Sequence, residues 1–206
     1  MEFADVVRKR HMVRKFTTDP IPPEVVKRLL DNARRGPSAG FSQGMAFLVL
    51  QGEDLDRFWP LVTDQDSEMD REIAMAPLVI VPMSCKRIYL DRYAQPDKGW
   101  TDRSESHWPV PFWTIDTAMA ALLVLLTAVD EELGALYFGI MPESVQPFCE
   151  EFGIPDDHEP IGAIAIGYNA EDKPRDLRSR RRPLADIVHF GQWGRRADSG
   201  VTDPSS

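Results

Sequence analysis

The residues with the most suggestive chemical spacing are Arg10 and Arg14, in the run Arg8-Lys9-Arg10-His11-Met12-Val13-Arg14-Lys15-Phe16. Four positions apart, they share a face on a helix and also on an extended segment. Two guanidinium forks on one face can grip a single phosphate, each through paired N–H donors. A second basic run, Arg178-Ser179-Arg180-Arg181-Arg182-Pro183-Leu184, holds more arginine than a linker needs for solubility. Other chemistries lack their patterns. The glycine-bearing loop Gly36–Gly44 follows a helix pattern and precedes a strand pattern, the reverse of the order that binds dinucleotides. There is no Gly-x-Ser-x-Gly nucleophile elbow and no Gly-Lys-Ser/Thr phosphate loop. The histidines His11, His107, His158 and His189 have no ligand spacing and no Cys-x-x-Cys pair accompanies them, so no metal site is expected. Glu131-Glu132 and Asp156-Asp157 are chain neighbours, which cannot face one another as an acid–base pair.

These residues need elements to hold them. Residues 2–10 read as a short helix. After Pro20, Pro22 and Pro23, the residues Val25, Val26, Leu29, Leu30 and Ala33 form one apolar stripe at helical spacing, stopped by Gly36-Pro37. Strand patterns lie at 46–50 (AFLVL), 78–83 (LVIVPM), 135–138 and 160–167 (PIGAIAIG). Pro82 marks a strand end or a sheet edge. Helices are expected over 53–62, over an acidic 64–76, and over 143–152, ended by Gly153. The longest, Thr114–Leu133, is apolar on every face and should be buried on every side, with Gly134 as its C-cap. Residues 91–112 are a long excursion carrying Tyr93, Trp100, Trp108 and Phe112, an aromatic content that favours an ordered lid. The irregular interleaving of strands and helices points to α+β or three-layer α/β, with one domain over 1–196 and a disordered tail over 197–206.

The 206 residues are 43% apolar and 28% charged, the composition of a soluble globular chain. The net charge of −9 argues against general nucleic-acid binding. It hides an asymmetry: residues 1–35 carry +4, residues 36–172 carry −17 and residues 173–196 carry +6. Two cysteines, Cys85 and Cys149, suit a reducing cytoplasm. The N-terminus lacks the apolar core of a signal peptide, and the most apolar stretch, Thr117–Val129, is too short to cross a membrane.

Taken in order, the segments resemble the nitroreductase family of flavin enzymes from Arg8 to about Trp193. Arg10-His11-Met12-Val13-Arg14-Lys15-Phe16 is similar to its opening motif, and Gly36-Pro37-Ser38-Ala39-Gly40-Phe41-Ser42-Gln43 to its Ala-Pro-Ser loop. Leu133-Gly134-Ala135 and Phe138-Gly139-Ile140 resemble a later segment, Glu159–Tyr168 a late strand, and Arg180-Arg181-Arg182-Pro183-Leu184 the closing basic motif. The resemblance implies a three-layer α/β sandwich around a central, mostly antiparallel sheet, in a swapped homodimer with its active sites at the interface. It implies FMN as cofactor and NADH or NADPH as donor. A small aromatic, quinone or nitro acceptor would be reduced in a ping-pong cycle. By this resemblance Arg10, Arg14 and Arg181, with Arg180 or Arg182, hold the flavin phosphate, and His11 and Met12 lie along the cofactor. Pro37, Ser38, Ala39 and Phe41 come from the other subunit, and Gly139 approaches the ring. Phe41 stands where the family commonly has Asn. The flavin carries the chemistry, so no catalytic side chain is named. Three alternatives remain open at this point. They are a relative that uses deazaflavin or oxygen, a flavin store without turnover, and a fold-only homologue that binds a phosphorylated metabolite.

Overall fold

Strand β2 (Leu78–Ser84) is buried along its whole length, so both of its faces must be covered. Its side chains alternate between two cores, as a pleated strand requires. Val79, Val81 and Met83 point into one core with Phe58, Trp59 and Phe148. Leu78 and Ile80 point into the other with Leu29, Val124 and Ala128. This is the three-layer α/β arrangement expected from the sequence.

A computed structural model describes residues 1–64, 66–172 and 177–196. The chain divides into two compact units, Met1–Asp172 and Lys173–Ser206. In the first unit the elements run α1 (Phe3–Lys9), α2 (Pro23–Ala33), β1 (Met45–Gln51), α3 (Glu53–Val62), α4 (Glu68–Ile73) and β2. They continue with α5 (Lys86–Tyr93), α6 (Phe112–Asp130), β3 (Gly134–Phe138), α7 (Pro142–Glu151), β4 (Glu159–Pro160) and β5 (Ala163–Gly167). The sheet order is β1-β2-β5-β3, with β4 on β2, and every pairing between these strands is antiparallel. Helices α2 and α6 cover one face, and α3 and α7 the other. The second unit has a 3-10 turn, Arg178–Arg180, and a short helix α8 (Leu184–Ile187). The disordered tail expected over 197–206 lies outside the described residues.

Several expectations are corrected. Pro82 is not at a sheet edge: β2 lies between β1 and β5. Its carbonyl accepts from the Ile161 N–H, the side its missing N–H would also face. There the pattern read as one strand over 160–167 is broken by Ile161-Gly162 into β4 and β5, so Pro82 deprives no ladder of a donor. Gly162 sits at φ +141 with the Phe138 carbonyl 2.7 Å from where a Cβ would be. The acidic helix over 64–76 shrinks to Glu68–Ile73, capped by the Ser67 hydroxyl accepting from the Asp70 N–H.

Gly134 does not cap α6. It opens β3, where a Cβ would come 2.9 Å from the Val13 side chain. The C-cap is Glu131, and the left-handed residue after it is Glu132 at φ +59. Leu133 N–H donates to the Ala128 carbonyl at 2.7 Å and Glu132 N–H to Val129 at 3.1 Å, the Schellman pattern with a non-glycine residue in the left-handed position. Nor is α6 buried on every side. Ile115 is 38% exposed and Leu122 is 47% exposed, and Ala118 between them is also exposed. At spacing i, i+3, i+7 they form one apolar stripe turned away from the sheet. The full helix, 19 residues with mean hydropathy 1.9, is long and apolar enough to cross a membrane, unlike the shorter stretch read from sequence. Half of that window is nevertheless buried within the fold.

Candidate functional site

The segment carrying Arg10 and Arg14 is stitched to the free edge of β3. Val13 and Phe16 are 1% and 3% exposed, and burying them pulls the extended chain onto the sheet. Met12 bridges Ala135, and Phe16 bridges Asn169. Val13 N–H donates to the Ala135 carbonyl at 3.0 Å, and Tyr137 N–H donates to the Met12 thioether at 3.5 Å. Lys15 turns away to pair with Glu72 at 2.8 Å. Arg14 is half-buried, its Nη1 donating to the Met12 carbonyl at 3.2 Å. Arg14 N–H donates to the Glu171 carboxylate at 2.7 Å, but among the described residues the guanidinium groups of Arg10 and Arg14 form no ion pair, although the unit around them is strongly acidic. His11 donates through Nδ1 to the Lys9 carbonyl at 2.8 Å, and its Nε2 is buried without a partner. Gly139 follows the end of β3, two positions beyond Tyr137. It is exposed, and nothing lies within 4 Å of the point a Cβ would occupy. A flat ligand can therefore approach its backbone directly. These groups fit a phosphorylated, planar cofactor: free guanidinium donors at one end, open backbone at the other.

The loop Pro37–Gln43 is elsewhere. It sits against the N-terminal part of α6 and the β1 edge, whereas β3 is the opposite edge, three strand spacings or about 14 Å away. Arg10 and His11 lie near the C-terminal end of α6, and Asp116 to Asp130 spans about 20 Å along that helix. One protomer therefore does not bring Pro37, Ser38, Ala39 and Phe41 to Arg10, His11, Met12, Arg14 and Gly139.

What holds the loop was not evident from the sequence. Asp116, 2% exposed, accepts from the Ala39 N–H at 2.8 Å and from the Tyr89 hydroxyl at 2.9 Å. Burial, and then the Asp116 bond, push the Tyr89 hydroxyl well above the ordinary tyrosine range. Arg92 Nε donates to the Gly40 carbonyl at 3.0 Å, and Gln43 N–H donates to the Ser38 hydroxyl at 3.0 Å. Gly40 is at φ +60 with the Tyr93 ring 2.7 Å from its missing Cβ. Tyr93 is itself packed between Trp100 and Trp108, at centroid distances of 4.7 and 4.5 Å. The aromatic excursion is therefore ordered and backs the loop. The one sequence signal was a lone aspartate in the first turns of an apolar helix.

In the second unit Arg180 and Arg181 are exposed, and among the described residues they meet no carboxylate. Arg182 donates to the Asp186 carbonyl at 3.0 Å, and Arg196 pairs with the Asp186 carboxylate at 3.1 Å. Sequence spacing also hid one cluster. Cys85, Asp157 and His158 bring possible ligand atoms within 4.8 Å of one another. Asp157, however, already accepts from Arg87 at 2.6 Å and meets His158 Nδ1 at 2.7 Å.

The family model for the nitroreductase family matches residues 7–168. The chain belongs to the nitroreductase family. It is 26% identical over 196 residues to a Methanothermobacter thermautotrophicus protein provisionally named NADH dehydrogenase/NAD(P)H nitroreductase, covering 94% of this chain and 88% of that one. It is 24% identical to a Staphylococcus aureus NADPH-dependent oxidoreductase, over 92% of this chain and 73% of that one. Among solved structures, a nitroreductase-like protein of Exiguobacterium sibiricum in complex with FMN superposes with a TM-score of 0.72 at 19% identity. The match covers 92% of this chain and 97% of that one.

Proposed function

We propose that this nitroreductase-family chain is an FMN-dependent oxidoreductase that takes hydride from NADH or NADPH and passes electrons to a small aromatic, quinone or nitro acceptor. The observation that carries the reading is that the guanidinium groups of Arg10, at the end of α1, and Arg14, on the edge of β3, form no ion pair among the described residues, with the open backbone of Gly139 just past the end of that strand. Relatives named for NAD(P)H-dependent reactions, and an FMN complex of the same fold, support it.

When bound, the flavin supplies the hydride chemistry, with donor and acceptor using one stacked position in turn. The protein binds and orients. Arg10 and Arg14 hold the phosphate, and by the family resemblance Arg180 and Arg181 are further candidates for phosphate contact. His11 and Met12 line the cofactor, and Gly139 lets its ring approach the backbone. No acid or base side chain is required for such a cycle.

The enzyme works as a homodimer. The stripe Ile115, Ala118 and Leu122 on α6 leaves apolar surface that a second copy can bury. Two α6 helices packed antiparallel across a two-fold axis would bring Pro37, Ser38, Ala39 and Phe41 of one copy to the Arg10–Arg14 edge of the other. Cys85 and Cys149 are both free thiols, which fits a cytoplasmic setting.

The test is a visible spectrum of the purified chain, followed by anaerobic addition of NADH or NADPH. A yellow protein that bleaches is expected. Yellow without bleaching would indicate a flavin store or another donor. A colourless protein that takes up no added FMN would falsify the proposal.

A further inference from the structure

Phe41 is the most conspicuous misfit of the first unit. Its side chain is 78% exposed, and no aromatic or cationic side chain of the described residues packs on its ring. Its backbone is at φ +55, directly after Gly40 at φ +60 and shortly before Gln43 at φ +56. A bulky residue in the left-handed region is a strained choice. Neither burial nor backbone preference explains a phenylalanine here, and strain of this kind persists only where the surroundings over-determine it.

The surroundings do so. The loop is fixed on both sides of Phe41: Ala39 N–H on the buried Asp116 carboxylate, the Gly40 carbonyl on Arg92, and Gln43 N–H on Ser38. Behind it the Tyr93 ring leaves no room for a side chain at Gly40, and Trp100 and Trp108 prevent Tyr93 from retreating. A buried carboxylate, a guanidinium and an aromatic cluster thus hold a short loop rigid, and what that loop presents to its exterior is one flat apolar ring.

We infer that Phe41 is a specificity-determining residue: it reaches across the dimer into the partner's site and stacks on the acceptor, favouring flat aromatic acceptors over small ones that cannot stack. This rests on the proposed flavin-dependent dimer. An asparagine at this position would offer an amide to a polar group. Phenylalanine offers only a π face, which selects for ring area.

The test compares two acceptors on the flavin-loaded enzyme, a 1,4-naphthoquinone and ferricyanide, in the wild type, Phe41→Ala and Phe41→Tyr. Flavin content and melting temperature are recorded for each. Phe41→Ala should lower the ratio of kcat/KM for the naphthoquinone to that for ferricyanide by about five- to ten-fold, mainly through the quinone KM. Phe41→Tyr keeps the ring and should restore the ratio. An unchanged ratio in flavin-loaded Phe41→Ala overturns the inference. So does a variant that loses its flavin with no change in the ratio, since Phe41 then serves the cofactor. A wild type that binds no flavin and reduces neither acceptor overturns the underlying flavin reading instead, a failure visible before any variant is made.

Discussion

At the scale of single residues, Arg10 and Arg14 differ from most arginines of the first unit in what their guanidinium groups do not touch. Arg28 pairs with Glu131, Arg57 with Asp54 and Glu151, and Arg92 with Asp97, whereas the guanidinium groups of Arg10 and Arg14 meet no carboxylate among the described residues, Arg14 reaching Glu171 only through its backbone N–H at 2.7 Å. Charge-assisted contacts to a phosphate follow naturally. Replacing Arg14 or Arg181 with alanine should weaken FMN retention about 10- to 100-fold in an equilibrium titration. Lys98→Ala, which removes only an ammonium lying 5.0 Å over the Tyr93 ring, should leave retention unchanged. Equal affinity in all three variants would remove the phosphate-clamp assignment. Tyr89 offers a test of the Asp116 network. Its hydroxyl is held above the ordinary tyrosine range by burial first and the Asp116 bond second. The folded state therefore favours the protonated phenol, and the resulting stability is present below the unfolded value near pH 10 and lost as pH rises above it. Tyr89→Phe should cost about 1–2 kcal/mol at neutral pH and should melt with a shallower decline above pH 10 than the wild type.

At the scale of elements, periodicity in the chain was a good guide to existence and a poor one to endings. The stripe Val26, Leu29 and Ala33 became α2 with those residues buried, and LVIVPM became a fully buried strand. Both patterns reflect local geometry that burial only reinforces. The end of α6 was misplaced because glycine is the usual left-handed residue, yet here Gly134 is needed where Val13 leaves no room for a side chain. Glu132 takes the left-handed position instead, at a cost of roughly 1–2 kcal/mol for a non-glycine residue. Glu132→Gly should therefore raise stability by about 0.5–1 kcal/mol, net of the added freedom of the unfolded chain, as read by urea denaturation. An unchanged or lower midpoint would show that the Glu132 side chain compensates for its backbone. Pro82 lies inside the sheet for a related reason: a proline signals an edge only if its missing donor would have had a partner, and the break at Ile161-Gly162 removes that partner.

At the scale of the whole molecule, the division of labour between two copies carries a prediction of its own. Leu122 is 47% exposed on the outer stripe of α6, so Leu122→Glu should leave the protomer folded while placing a charge at the centre of the proposed interface. Sedimentation should show the mass falling from dimer to monomer, and FMN affinity should fall with it because each site would lose the partner's Pro37–Phe41 loop. A monomeric variant that binds FMN as tightly as the wild type would mean that one copy suffices. The charge asymmetry belongs to this scale as well: the basic N-terminal segment meets β3 at Met12 and Val13 in an otherwise acidic unit, with Arg10 and Arg14 among its cations. The sequence by itself determined the residue types and their order: the arginine pair, the small-residue loop, the apolar strands, and hence the family. Those depend on chemistry and spacing along one chain. Only the tertiary structure decided that Asp116 and Tyr89 anchor the loop, that Phe41 stands outward, and that loop and arginines lie far apart in one protomer. Each of those facts is a contact, or a separation, between segments tens of residues apart, set by how helices and sheet pack and not by any local pattern.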